Sequence, residues 1–124
     1  MKHIQILIVE DEPAMAFVLN RQVERSGFSV CGIVSSSEDA LRFFHAHQPH
    51  IILMDFHILG LMNGFETARE IHKHRPVPII MMSATLSHEI ENIINHTPNL
   101  YFLPKPAETI NLVQMIKRCL SIQD

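Results

Sequence analysis

Three short apolar runs stand out from an otherwise mixed chain, at residues 6–9, 51–54 and 79–82, and each ends abruptly at a polar residue. Unbroken runs of this length, rather than apolar–polar alternation, suit strands covered on both faces, the condition of a parallel sheet. Residues 28–34 mix apolar with small or polar side chains and residues 100–103 form a short run, which suits strands nearer the sheet edges. Between these strands the spacing turns helical. Met15, Val18, Leu19 and Val23 fall on one stripe, with Gly27 as terminator. Ser37, Glu38 and Asp39 open a second helix that turns Ala40, Leu41 and Phe44 inward and stops at Pro49. Asn63, with Glu66 three residues on, caps a third carrying Phe65, Ala68 and Ile71 and ended by Pro76. Ser87 begins a short fourth with Ile90, Ile93 and Ile94, before Pro98. The last starts near Ala107, with Val113, Ile116 and Leu120 on one stripe and Leu112, Met115 and Cys119 beside it.

Strand and helix alternate five times, which calls for a doubly wound α/β architecture, a parallel sheet with right-handed crossovers and helices on both faces. The 124 residues suit one domain spanning 1–124, with no repeat or linker, and no output domain is expected in this chain. Hydrophobic residues are 47%, charged residues 19% and the formal net charge is −3, a globular and mildly acidic composition. The longest cationic run is the pair Lys117-Arg118, too little for the phosphate contacts of direct nucleic-acid binding. No apolar run approaches the roughly 18 residues of a membrane span, so no membrane insertion is expected. No signal-like start precedes the first acids, so a cytoplasmic location is expected, with Cys31 and Cys119 as reduced packing residues.

In doubly wound sheets ligands bind outside the carboxyl ends of the strands. The first strand ends on Glu10, Asp11 and Glu12, the third on Asp55, the fourth on Ser83, Ala84 and Thr85, and the fifth runs into Pro104, Lys105 and Pro106. Any one of these residues alone reads as a solvated cap or a turn. Together, four strands deliver acids, a hydroxyl and an ammonium to one edge. Three carboxylates in one crevice repel each other unless a cation compensates, and an all-oxygen set with room for water suits Mg²⁺. Asp55 can then act as a nucleophile on phosphorus while the metal, Lys105 and the Ser83 hydroxyl stabilise the phosphoryl oxygens.

Four segments in order, residues 6–13, residues 53–55 with the later 62–66, residues 82–84 and residues 102–106, resemble the receiver domain of two-component response regulators, over essentially the whole chain. The resemblance implies a flavodoxin-like (βα)5 fold with strand order 2-1-3-4-5. It implies that Asp55 is the phosphoacceptor, taking its phosphoryl group from a sensor histidine kinase or a histidine phosphotransfer protein. It further implies Mg²⁺ ligated by Asp11, Asp55 and the backbone carbonyl of His57, with Glu10 acting through water. Ser83 falls on the switch hydroxyl, with Thr85 near the site, Lys105 on the conserved lysine, Phe102 on the switch aromatic, and Lys105-Pro106 on the family's cis bond. The surface of helix four, strand five and helix five becomes the face for a downstream protein target or a homodimer. Such a protein catalyses its own phosphorylation but is not a turnover enzyme.

Departures from the pattern are local. The loop between Asp55 and Gly64 is one residue longer than in many receivers, with Leu59 where proline and Asn63 where aspartate is usual, which leaves its shape open. Ala107 replaces a common aromatic and loosens the start of the last helix. His57 is expected to shield the site or position water. The pairs His45/His47 and His72/His74 are spaced i, i+2 on their helices and point to nearly opposite sides, which argues against a histidine metal site. Two alternatives stand beside the leading reading. A haloacid dehalogenase-type phosphatase also uses a strand-end aspartate, but needs a second aspartate two residues on, where this chain has His57. The other is a phosphorylation-independent receiver-like scaffold, against which the intact acid, hydroxyl and lysine set argues.

Overall fold

The computed structural model describes residues 3–122. Its elements alternate strictly: β1 (Gln5–Val9), α1 (Pro13–Arg25), β2 (Ser29–Val34), α2 (Ser37–His47), β3 (Ile51–Asp55), α3 (Gly64–His72), β4 (Ile79–Ser83), α4 (His88–Asn95), β5 (Leu100–Pro104) and α5 (Thr109–Cys119). All strand pairs are parallel and the sheet order is β2-β1-β3-β4-β5, the flavodoxin-like arrangement expected. The three apolar runs are the three central strands, whose side chains are buried on both faces apart from half-buried Gln5.

Alternation along those strands divides the core. Ile6, Ile8, Leu53, Ile80 and Met82 pack with Leu19 and Val23 of α1 and Leu112 and Ile116 of α5. Leu7, Val9, Ile52, Met54, Ile79 and Met81 pack on the other face with Ala40 and Phe44 of α2, Ala68 and Ile71 of α3, and Ile94 of α4. Three helices start on side-chain caps, Ser36 for α2, Asn63 for α3 and Ser87 for α4. Asn63 and Glu66 form the reciprocal box their spacing predicts, with bonds of 2.8 and 2.9 Å.

Several boundaries differ from the sequence expectation. The buried stripe of α1 is Ala16, Leu19 and Val23, whereas Val18 is 47% exposed, because one residue from Leu19 is a turn of about 100° around the helix. Strand β2 begins at Ser29, with Phe28 buried just before it. Helix α5 begins at Thr109 rather than Ala107, since the Ala107 carbonyl accepts a 3.0 Å bond from the Gln22 side chain of α1. Helix α3 stops at His72, so His74 lies in the turn beyond it, and its ring meets that of His45 of α2 edge-on at 4.6 Å. Spacing within one helix could not reveal that pairing. No helix among the described residues is long and apolar enough to cross a membrane.

Candidate functional site

Register and alternation together assemble the site. Val9 pairs with Met54, Asp55 with Met82, and Ser83 with Pro104, so the strand ends lie level along one edge. Glu10 continues the Ile6–Ile8 side of β1, Asp55 the Ile51–Leu53 side of β3, and Lys105 the Tyr101–Leu103 side of β5. Two-residue periodicity therefore brings these three onto the face that α1 and α5 cover. Ser83 and Phe102 continue the opposite side, with Met81 and Leu100.

Glu10 and Asp55 are 4% and 7% exposed, which for carboxylates demands partners. Lys105 Nζ donates to Glu10 Oε1 at 2.8 Å and lies 3.3 Å from Asp55 Oδ2. The second Glu10 oxygen accepts from the Glu12 amide at 3.2 Å, and Asp55 Oδ1 accepts from the His57 amide at 3.3 Å. Burial works against the charge on Lys105, but the bond to Glu10 and the charges of Asp55 and Glu10 outweigh it, and its pKa is raised above the ordinary lysine value. Asp11 is exposed at the mouth, and oxygens of Glu10, Asp11 and Asp55 lie within 4.8 Å of one another. That span matches two metal–oxygen bonds of ~2.0–2.6 Å with little to spare. Three carboxylates face one ammonium, so the site lacks positive charge, and its donors are oxygens alone, the set a hard divalent cation takes.

The remaining expected residues sit around this centre. Ser83 is buried, and its hydroxyl closes on its own turn, donating to the Thr85 carbonyl at 2.8 Å and accepting from the Thr85 amide at 3.3 Å. Thr85 itself is exposed. Phe102 is half-buried against the α2–α4 side of the core. The His57 side chain is exposed, its ring edge-on to Phe56 at 5.0 Å. The Lys105 amide donates to the Ser83 carbonyl at 3.0 Å, and the Lys105-Pro106 peptide is cis, as the resemblance implied. Sequence reasoning used Gly64 only to mark the end of the loop after Asp55 and missed its contact with the site. Its amide donates to the Phe56 carbonyl at 2.8 Å, and a Cβ at this position would collide with the backbone carbonyl of Asp55. The signal was a glycine at the first position of a helix, where one has no conformational advantage.

Comparison with known proteins adds to this geometry. The family model described as the response regulator receiver domain matches residues 6–117. The chain is 31% identical over 116 residues to the heme response regulator HssR of Staphylococcus saprophyticus, across 92% of this chain and 50% of that protein. It is 34% identical over 84 residues to protein-glutamate methylesterase/protein-glutamine glutaminase 3 of Hahella chejuensis, across 68% of this chain and 24% of that one. The chain thus spans no more than half the length of either relative. Among solved structures, the signal receiver domain of a modulated diguanylate cyclase from Desulfovibrio desulfuricans G20 superposes with a TM-score of 0.85 at 29% identity, covering 94% of this chain and 93% of that one. A CheY-like receiver domain protein from Methanospirillum hungatei JF-1 gives 0.84 at 24% identity, over 94% and 93%, a likeness of fold.

Proposed function

The chain belongs to the response regulator receiver domain family, whose members are phosphoacceptor signalling domains, and from that premise we propose that Asp55 is the acceptor, phosphorylated by a sensor histidine kinase or a histidine phosphotransfer protein. The carrying observation is the ammonium of Lys105 held between Glu10 and Asp55 beside exposed Asp11. A carboxylate oxygen of Asp55 attacks phosphorus, an acyl phosphate bond forms, and the phosphorus–nitrogen bond breaks with its electron pair going to the donor histidine, whose ring, protonated at its other nitrogen, leaves as neutral imidazole. Asp11, Asp55 and the His57 carbonyl would hold Mg²⁺, with Glu10 reached through water; bound there, the ion offsets charge on the phosphoryl oxygens. Lys105 already reaches both buried acids and can turn from Asp55 to a phosphoryl oxygen while keeping Glu10. Ser83 exchanges its bond to the Thr85 carbonyl for one to phosphate, with Thr85 beside it, and Phe102 follows inward. That movement would alter the face of α4, β5 and α5, where we place a downstream protein target or a second copy. The reaction is one of self-phosphorylation and slow self-dephosphorylation in the cytoplasm rather than turnover.

Incubation with acetyl phosphate and Mg²⁺ should add one phosphoryl group by mass spectrometry, lost in Asp55→Asn and on chelation of Mg²⁺. Absence of any adduct, together with absence of beryllofluoride binding, would reject the assignment.

A further inference from the structure

The loop from Phe56 to Asn63 leaves the acceptor strand and turns through Gly60, at φ +103°. Packing does not hold its tip, since Leu59 is 57% exposed and Leu61 is 93% exposed. Hydrogen bonds to the start of α2 do. The Leu59 amide donates to the Ser35 carbonyl at 3.1 Å and the Ser37 amide to the Leu59 carbonyl at 2.9 Å, a short parallel bridge. The Leu61 amide donates to Glu38 Oε2 at 3.0 Å and the Met62 amide to Ser37 Oγ at 3.3 Å. A Cβ on Gly60 would meet the side-chain ends of Ser37 and Glu38, so the loop passes close to the start of α2, and its positive φ favours glycine there. The Leu61 amide, then the amide of Glu38 itself, hold the Glu38 carboxyl below the usual glutamate range. The near end of the same loop is fixed by the bonds from the His57 amide to Asp55 and from the Gly64 amide to Phe56. Between the two anchorages lie His57 and Ile58.

We infer that Glu38, outside the acidic cluster, is a positioning residue for the phosphorylation site: through the Leu61 amide it sets the loop that carries the His57 backbone past Asp55. This rests on the reading of Asp55 as acceptor and His57 as a backbone ligand. A charge-assisted bond to a backbone amide is among the stronger links available to an exposed loop. Partners that orient metal ligands contribute to metal affinity without touching the ion.

The test compares Glu38→Ala, which removes the acceptor, with Glu38→Gln, which keeps an acceptor oxygen but removes the charge. In Glu38→Ala, hydrogen-exchange protection of the Leu61 amide should vanish and the Mg²⁺ dissociation constant, from NMR titration, should rise about threefold to tenfold, below the cost of losing a ligand's direct partner. Phosphorylation by acetyl phosphate should slow at low Mg²⁺ and return to the wild-type rate at saturation. Glu38→Gln, which keeps a neutral acceptor, should fall between wild type and Glu38→Ala in all three. Retained Leu61 protection in Glu38→Ala overturns the inference, as does unchanged Mg²⁺ affinity once protection is lost, or equal weakening in both variants. A wild-type chain that is not phosphorylated removes the underlying assignment and the inference with it, whereas a phosphorylated wild type with indifferent variants removes the inference alone.

Discussion

Lys105 bonds to side chains that precede it by 95 and 50 positions in the chain, and its charge is stabilised by both. A lysine whose folded pKa is raised holds its proton more tightly in the folded state. The stability it contributes is therefore complete below the unfolded lysine value of ~10.4 and is lost as pH rises through the higher folded value. Lys105→Met should unfold at lower urea than wild type at pH 8, and the gap should narrow as pH rises above ~10.4. A gap constant to pH 11 would mean the ammonium contributes by packing alone. The positions of Glu10, Asp55 and Lys105 could be read from the chain because each follows an apolar run by a fixed step, and alternation then decides the face. The hydroxyl of Ser83 was not legible in the same way. Its bond to the Thr85 carbonyl is a choice among several acceptors within rotation of one torsion, and residue spacing does not rank them.

At the level of elements, capping chemistry and apolar runs set α2, α4, the start of α3 and all five strands within a residue or two, while α3 ends earlier than Pro76 suggested. The start of α5 was missed because a contact from elsewhere intervenes, Gln22 of α1 on the Ala107 carbonyl, which no window of ten residues shows. The α1 stripe was missed for a local reason, since Ala16 and not Val18 shares the face of Leu19 and Val23. The start of α3 is the sharpest case. Its first residue must be glycine because the helix begins against the backbone at the end of β3, so Gly64→Ala should destabilise the fold by about 1–3 kcal/mol, the usual range for overpacking. Because the obstructing atom is the Asp55 carbonyl, the same variant should also slow phosphorylation by acetyl phosphate. Urea titration and adduct formation check the two effects separately, and a stable, fully active variant would show that the strand end yields freely.

Across the whole molecule, the sheet separates the two thiols. Cys31 of β2 packs with the α2–α4 side of the core and Cys119 of α5 with the α1–α5 side. Both are free, in keeping with the reduced packing role expected from sequence. Burial raises the pKa of each, that of Cys119 to about 12. Since the thiolate is the reactive form, iodoacetamide at pH 8 should modify the native protein slowly and the urea-unfolded protein fast. Rapid native alkylation of Cys119 would contradict that burial. The chain thus carries a built-in reporter for each half of its interior. Under partial denaturation, the order in which the two sulfurs become labelled would tell whether both sides of the molecule open in one concerted event or one layer peels away while the other stays shut.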